Sequence, residues 1–299
     1  MNRVVTVGDS PLFHRVVQCP AVLDADPNRL RLLVTSRDEA NHARILEVTV
    51  ERAGERQWSC HDVRVLLEPS DIAADCCGVM PGSVVRMNGR SMLVGNAFAF
   101  RPGFHAWIFS VPLEIDRLTA RVTGPATGLF RPDRESQRFR TTPTVVERGQ
   151  DLCVVYAAAD PYGSDGPRAP GFPTAYGLHW APLEGTECGR EHCWIWPNLR
   201  RSALATPTPT AGGDALWFCV RGDGIGCQGA YRLARARITE SFAEPAIDWI
   251  PMGPPPTSPS NGLAYPELIC FPGGPQQMLA SIGEWGAGGI ALVDLPAGG

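Results

Sequence analysis

The chain has 299 residues and a formal net charge of -4, and charged residues make up 19% of it. This length allows one large or two ordinary domains with a substantial core, and the scattered charge offers no basic patch for nucleic acid. The content of 32 glycines, 28 prolines and 8 tryptophans, with many valines and threonines, favours β structure over helix.

The first predicted element is a short strand, RVVTV at residues 3–7. The N-terminus lacks the apolar segment of a signal peptide, and the sequence contains no apolar run of membrane-spanning length. We therefore expect a cytoplasmic protein with no membrane partner and no nucleic-acid partner. Its ten cysteines are then expected to be reduced thiols.

From residue 19 onward the sequence repeats one pattern: a small or apolar residue, a proline, two or three β-forming residues, a polar turn and an apolar run. The five copies carry Pro20, Pro81, Pro143, Pro207 and Pro266, at separations of 61, 62, 64 and 59 residues. Each copy predicts a β-hairpin, and the third hairpin runs from Thr141 to Asp160. A fixed period of this kind indicates that one supersecondary unit is repeated.

A third β-like run follows each hairpin, beginning at residues 45, 107, 176, 231 and 289, and a weaker fourth run is visible from Val63 and from Ile247. We therefore predict an all-β fold, a single five-bladed β-propeller over residues 1–299, with four-stranded blades starting near residues 19, 80, 142, 206 and 265. The fifth copy ends after its third run, so the N-terminal strand is expected to close the last blade. The alternative is an open β-sandwich with coincidental prolines.

In a propeller, the first strand of each blade lines the central channel. Because side chains alternate along a strand, the residues before and after each proline should share a face. The predicted lining is Cys19/Ala21, Met80/Gly82, Thr142/Thr144, Thr206/Thr208 and Tyr265/Glu267. Glu267 is the one carboxylate in this ring. It acts either as a general acid or base, or as a side chain that bonds neighbouring blades to each other.

The repeated X-Pro strand starts resemble those of the five-bladed propeller glycosidases, the arabinanase, xylosidase and fructosidase group. The finer pattern is similar to an uncharacterised branch found in polysaccharide and secondary-metabolite gene clusters. It is carried by TSRDEANHARI from Thr35, CGVMPGSVV from Cys77, ALWFCVRGD from Ala215, GAYRLARARI from Gly229 and GLAYPELI from Gly262.

The sequence departs from this family at the residues before the prolines. In the classical members a carboxylate precedes the proline in several blades, whereas here the five positions hold Cys19, Met80, Thr142, Thr206 and Tyr265. Glycoside hydrolysis usually needs two carboxylates. A partner for Glu267 would have to come from the loops after the second strands, where the acids are Asp38, Asp160, Asp223 and Glu284.

The resemblance implies an intracellular glycoside hydrolase-like enzyme that acts on a sugar or glycosylated small molecule by acid/base catalysis in the channel. The candidate catalytic residues are Glu267, Asp38, Asp160, Glu284 and His105. The candidate substrate-binding residues are Arg37, Tyr265, Arg140, Arg221, Thr142, Thr206, Asn96 and Trp285. The structural alternatives are an ion pair that joins blades for Arg37 and Asp38 and burial between blades for Trp285.

Two other functions stay open. One is a non-hydrolytic biosynthetic enzyme that performs elimination, cyclisation or isomerisation, and the other is a non-catalytic ligand-binding propeller. Because the sequence has neither a P-loop nor a dinucleotide fingerprint, we expect no cofactor. We expect no metal either, since Cys188, His192 and Cys193 have no second pair at zinc spacing. The expected assembly is a monomer or homodimer.

Overall fold

The computed structural model describes residues 2–54, 57–87, 89–101, 103–130, 139–159, 176–195, 203–210, 213–221, 231–238, 250–251, 262–271, 276–283 and 286–295. Strands make up nearly all the regular structure of these residues, which contain no α-helix and two short 3₁₀ turns, Val7–Asp9 and Pro69–Asp71. The all-β prediction is confirmed. Within the described segments, no helix is long and apolar enough to cross a membrane.

The described strands form four hydrogen-bonded sheets, and a single parallel bridge divides the nine-stranded one into two antiparallel groups, so we describe the strands as five units. Unit 1 contains β2 (Val16–Asp26), β3 (Arg29–Arg37), β4 (Ala43–Gly54) and β5 (Gln57–Leu67). Unit 2 contains β6 (Gly78–Met87), β7 (Arg90–Arg101), β8 (Gly103–Ile115), β9 (Ala120–Val122) and β10 (Thr127–Gly128). Unit 3 contains β11 (Arg140–Arg148), β12 (Asp151–Ala158), β13 (Gly177–Glu184), β14 (Glu187–Cys188) and β15 (His192–Ile195). Unit 4 contains β16 (Ala203–Pro209), β17 (Ala215–Arg221), β18 (Arg232–Arg237) and β19 (Ile250–Pro251). Unit 5 contains β20 (Leu263–Cys270), β21 (Gln276–Ile282), β22 (Ile290–Asp294) and β1 (Asn2–Val5).

The predicted hairpins and third strands are present in all five units. In unit 3, β11 and β12 pair in antiparallel register around a turn in which Gly149 has a φ of 61°. Glycine suits this turn because it adopts positive φ without a steric penalty. The N-terminal strand β1 joins unit 5, with Asn2 opposite Leu292 of β22, as the sequence predicted.

The first strands of the five units contact one another in cyclic order: β2 with β6, β6 with β11, β11 with β16, β16 with β20, and β20 with β2. Units 1 and 2 are also joined by a single parallel bridge between Ala43 and Gly78. The inner strands approach closely at Gly82, where a Cβ atom would collide with the carbonyl oxygen of Pro143. The X-Pro ends of all five repeats therefore surround one axis.

Apolar side chains fill the spaces between neighbouring units, which explains the apolar runs of the second strands. In β12, the segment from Cys153 to Ala158 is buried throughout, because its two faces pack against units 2 and 4. A strand covered on both faces reads as a continuous hydrophobic run rather than as an alternating one.

Units 1 and 2 also share a buried charged contact, which we call the Glu47 tie. The Glu47 carboxylate accepts hydrogen bonds from Arg31 at 2.8 Å, from Arg64 at 2.6 Å and from the Ala120 N–H at 2.8 Å. Arg31 also donates to the carbonyl oxygen of Asp116 at 2.6 Å. The side chains of Arg31 and Glu47 are each only 2% exposed, so this tie is a satisfied ion network in the protein interior.

Candidate functional site

The five X-Pro pairs surround a small cavity on the axis, and we call them the proline ring. The cavity is lined by Cys19, Pro20, Pro81, Gly82, Thr142, Pro143, Thr144, Thr206, Pro207, Tyr265, Pro266 and Glu267. Its volume of about 30 Å³ accommodates one or two water molecules rather than a sugar. The predicted lining is therefore correct in part: Ala21, Met80 and Thr208 do not reach the cavity, and the prolines do.

Backbone geometry explains this difference. The pre-proline residues Cys19, Thr142, Thr206 and Tyr265 have φ values of 54°, 49°, 53° and 54°, which lie in the left-handed region. The strand register shifts at each of these pairs, and it also shifts beside Pro81. A bulge of this kind breaks the two-residue alternation from which the lining was predicted.

The left-handed residues turn their N–H groups toward the neighbouring unit. The Cys19 N–H donates to Ser281 Oγ at 3.2 Å, and the Thr142 N–H donates to Asn96 Oδ1 at 3.1 Å. The Thr206 N–H donates to Thr142 Oγ1 at 3.0 Å. Each such residue costs on the order of 1–3 kcal/mol of backbone strain, and such strain persists where the surrounding structure imposes it, often at functional sites.

Glu267 lies in the axial cavity and joins three units. Its carboxylate accepts from the Val22 N–H of unit 1 at 3.4 Å and from Thr208 Oγ1 of unit 4 at 3.2 Å. Burial raises the pKa of Glu267 to about 7, and these two hydrogen bonds oppose the rise. The carboxyl group therefore gains and loses its proton nearer to neutral pH than an ordinary glutamate does, which suits a general acid or base.

An apolar layer surrounds the axis at the X-Pro ends of the strands, and we call it the axial layer. Its buried members include Cys19, Met80, Phe98, Phe139, Tyr176, Trp217, Cys219 and Tyr231, and Tyr265 packs against it. The Tyr176 and Tyr231 hydroxyls share a hydrogen bond of 2.9 Å between units 3 and 4. Apart from Tyr265, these aromatic residues were not predicted to belong to the site, because their sequence patterns are those of ordinary strand residues.

The two thiols of the axial layer are not activated nucleophiles. Burial raises the pKa of Cys19 well above its usual range, although Arg37 opposes the rise. Burial also raises the pKa of Cys219 to about 12. Both side chains are therefore protonated at neutral pH and act as small core residues.

Arg37 lies at the edge of the axial layer, whereas Asp38 turns away into the following loop. Arg37 contacts Asn41, Met80 and the Phe98 ring. The Asp38 carboxylate accepts from the His42 N–H at 2.8 Å and so stabilises its own turn. Asn96 is buried, and its Oδ1 accepts the hydrogen bond from the Thr142 N–H. His105 is partly exposed and lies opposite Ala99 in the β7–β8 hairpin.

Arg140 belongs to a separate buried cluster in unit 3. It donates to the Glu191 carboxylate at 2.9 Å and 2.7 Å, and its guanidinium lies 4.5 Å from the centroid of the Phe130 ring. His179 Nδ1 is 3.6 Å from the same carboxylate. Arg140 is therefore engaged in an ion pair within its own unit, and it is not among the residues that line the axial cavity.

Several predicted site residues lie outside the described residues. These are Asp160, Glu284 and Trp285, together with Asp223; for Arg221 only the backbone is described. The described cysteines are all free thiols. In the described part of the chain, no group of three or more His, Cys, Asp or Glu side chains is arranged to hold a metal ion.

Comparisons with known proteins identify the fold but no close relative. The sequence matches no family model and no curated protein. An endo-arabinase structure from Bacteroides thetaiotaomicron superimposes with a TM-score of 0.60 and 10% identity, covering 100% of this chain and 99% of that one. A levansucrase mutant from B. megaterium gives a TM-score of 0.61 at 9% identity, covering 98% of this chain and 87% of that one.

A third similar structure is the GH43_1 enzyme from Xanthomonas citri complexed with xylose, with a TM-score of 0.59 and 11% identity, covering 99% of this chain and 91% of that one. At these identities the similarity shows the fold alone. The chain thus has the fold of the β-propeller glycosidase-like proteins, and the resemblance inferred from the sequence is confirmed at that level.

Proposed function

We propose that this protein is a cytoplasmic enzyme, built as a single closed five-bladed propeller, that acts on a sugar or glycosylated small molecule at the X-Pro end of its axis. The cyclic contacts of the first strands and the position of β1 in unit 5 support closure. The solved structures with the same fold include an endo-arabinase and a xylose complex, which supports the ligand class. The cytoplasmic location rests on the sequence alone.

One observation carries the position of the site. Four pre-proline residues from four units keep a strained left-handed backbone around one end of the axis. The cavity beneath them is too small for a sugar, since ligand pockets in proteins usually have volumes of several hundred Å³. We therefore place the ligand over the open side of this cavity, beside Thr142 and Thr206, so that one of its polar groups reaches toward Glu267, and the buried aromatic side chains of the axial layer would form the base of the site.

The described residues favour chemistry that uses a single acid or base. Glu267, with its pKa of about 7, is the one carboxylate among the residues that line the axial cavity. The five pre-proline positions carry a thiol, a thioether, two hydroxyls and a phenol. Elimination, cyclisation or isomerisation needs one proton-transfer group, whereas hydrolysis by the usual mechanism needs two carboxylates.

Glycoside hydrolysis is the second candidate function, and the similarity to solved structures supports it. The solved structures named above include glycoside-cleaving enzymes with the same fold. Asp160 and Glu284, the predicted partners of Glu267, lie outside the described residues, and either would supply the second carboxylate.

The test is a turnover assay with a panel of aryl glycosides and free sugars, with products identified by NMR. It compares wild-type protein with Glu267→Gln, Asp160→Asn and Glu284→Gln, and uses the surface variant Glu114→Gln as the control. Conversion without water addition that is lost only in Glu267→Gln supports the single acid/base mechanism. Hydrolysis that is lost in Glu267→Gln and in one of the other two acid variants supports the second candidate. Ligand binding without turnover in any sample would overturn the assignment as an enzyme.

A further inference from the structure

Two threonines of the proline ring, Thr142 of unit 3 and Thr206 of unit 4, have a backbone conformation that threonine disfavours. Their φ values of 49° and 53° lie in the left-handed region, where a β-branched residue is a rare outlier. Both residues line the axial cavity. Backbone strain of this kind persists where the surrounding structure imposes it, and it is frequent at ligand sites. The strained backbone thus brings two threonines from neighbouring units to the wall of the cavity.

The hydroxyl group of Thr142 joins the two units and keeps its own proton for another partner. Thr142 Oγ1 accepts a hydrogen bond from the Thr206 N–H at 3.0 Å. The equivalent N–H groups of Cys19 and Thr142 instead have acceptors that are not among the residues lining the cavity. Among the residues that the structure describes, no hydrogen bond uses the Thr142 O–H as its donor. Because a hydroxyl group carries one proton and two lone pairs, Thr142 has a proton left to donate.

The hydroxyl group of Thr206 has the opposite polarity. Thr206 Oγ1 donates to the carbonyl oxygen of Ala205 at 2.7 Å, and this bond uses its only proton. The neighbouring Cys219 thiol donates to the carbonyl oxygen of Leu263 at 3.6 Å, and so it does not occupy the lone pairs of Thr206. Thr206 therefore offers an acceptor at the same boundary between units where Thr142 offers a donor.

The cavity beside these two hydroxyl groups admits only a small polar group. Its volume of about 30 Å³ matches one or two water molecules. A group held there between a donor and an acceptor must both accept and donate a hydrogen bond. Water does so, and so does an alcohol, whereas a carbonyl, an ether or an organic fluorine only accepts and an ammonium group only donates. An alcohol that replaces a water molecule here reproduces both hydrogen bonds, and a group that cannot do so loses affinity.

We propose that Thr142 and Thr206 recognise one alcohol group of the sugar, with Thr142 as its donor and Thr206 as its acceptor. The inference rests on the proposed function, because it names the chemical group that the same site selects. It goes beyond that function by assigning a direction to each hydrogen bond and by excluding ligands that lack an alcohol at this position. Glu267 lines the same cavity, so the recognised alcohol lies in the same enclosure as the acid or base.

The test is a calorimetric titration of wild-type protein with sugar analogues. Glucose, xylose and arabinose are compared first, and the tightest binder of the three is then replaced by the deoxy and deoxyfluoro analogues of each of its hydroxyl groups. At one position both replacements should weaken binding about tenfold or more. The deoxy analogue loses both hydrogen bonds, and the deoxyfluoro analogue loses the bond to Thr206, because fluorine has no proton to donate.

Matched variants assign the effect to the two hydroxyl groups. Thr206→Val and Thr142→Val keep the β-branched shape, and each should weaken binding of the parent sugar. Thr206→Val should bind the parent sugar and the deoxyfluoro analogue about equally, because the acceptor that distinguishes them is gone. Thr206→Ser and Thr142→Ser keep the hydroxyl groups and should keep most of the affinity. The control is Thr141→Val, one residue away on β11, where the side chain is buried and does not line the cavity, and its affinities should match those of wild type.

The outcomes separate this inference from the proposed function. Binding of a sugar whose analogues all bind as tightly as the parent would overturn the inference and leave the sugar site standing. Deoxyfluoro analogues that match the parent at every position would also overturn it, since no acceptor would then be involved, as would an equal loss in Thr141→Val. No binding of any of the three sugars would overturn the proposed function itself. Should the valine variants fail to fold, the analogue series on wild-type protein and the serine variants still decide the matter.

Discussion

One buried and one partly buried glutamate, Glu47 and Glu267, join neighbouring units of this protein, and their surroundings differ sharply. Glu47 is enclosed by Arg31, Arg64 and a backbone N–H, so its negative charge is neutralised. Glu267 has one backbone N–H at 3.4 Å and one hydroxyl at 3.2 Å, and both donors are neutral. The same side chain is thus enclosed by two guanidinium groups at the periphery and by neutral donors on the axis. The charge of the partners, rather than burial alone, therefore distinguishes the two carboxyl groups.

The largest expected effect comes from breaking the Glu47 tie. Glu47→Gln would leave Arg31 and Arg64 without their shared carboxylate, and removing one partner of a buried ion pair costs about 3–5 kcal/mol. Urea denaturation at pH 7 should show a loss of unfolding free energy of that size. A loss below about 1 kcal/mol would mean that the Glu47 tie does not stabilise the fold as a buried ion pair.

Glu267→Gln should raise the unfolding free energy at neutral and higher pH, whereas Glu47→Gln should lower it. The folded-state pKa of about 7 lies above the ordinary value of 4.5, so the native state binds the proton more tightly, and wild-type stability falls as pH rises between these values. Glutamine removes this dependence, which should raise the unfolding free energy by up to about 3 kcal/mol at pH 8 relative to wild type. Thermal unfolding at pH 4.5 and pH 8 measures the difference. A variant that is less stable than wild type at pH 8 would show that the charged form is the favoured one.

Thr208→Val tests the neutral surroundings of Glu267 directly and should have a smaller effect on the unfolding free energy. It removes the hydroxyl that donates to Glu267 Oε2 while keeping the shape of the side chain. Because this bond lowers the pKa of Glu267, its loss should move the pH midpoint of stability upward. The expected destabilisation is about 1 kcal/mol at pH 8. The effect should shrink when Glu267→Gln is already present, because an uncharged amide oxygen accepts a weaker hydrogen bond than a carboxylate does, and a double-mutant cycle tests that non-additivity.

The smallest effect should come from an ion pair at the surface. Arg121 Nη2 lies 2.6 Å from Glu114 Oε2, which is closer than the 2.8 Å contact in the buried pair of Arg31 and Glu47. The side chains of Arg121 and Glu114 are nevertheless 69% and 56% exposed. Exposed pairs are screened by water and salt, so Glu114→Gln should change the unfolding free energy by less than about 1 kcal/mol. A loss as large as that of Glu47→Gln would show that distance, rather than burial, sets the strength of these contacts.

Much of the fold was predictable, because it is encoded in local patterns that repeat. The spacing of Pro20, Pro81, Pro143, Pro207 and Pro266 located the first strands, and the apolar runs located the second and third. These features depend on residues close in sequence, where β propensity and turn chemistry are sufficient.

The site was less predictable, because its geometry depends on contacts between units. The left-handed backbone at Cys19 and Thr142 is held by Ser281 and Asn96 of other units, and no local pattern marks it. For the same reason Thr208, predicted to face the channel, instead holds Glu267. Glu47 was not singled out, since a single glutamate within an apolar strand gives no sign of the two arginines that enclose it.

The pairing of β1 with β22 also has a consequence for biosynthesis. At ordinary translation rates the ribosome makes residues 2–5 roughly tens of seconds before residues 290–294. During that interval the first strand has no native partner, and unit 1 presents an uncovered flank to the cell. The pairing of β1 therefore waits until β22 has been made, and until then its edge is open to chaperones that shield exposed strand edges.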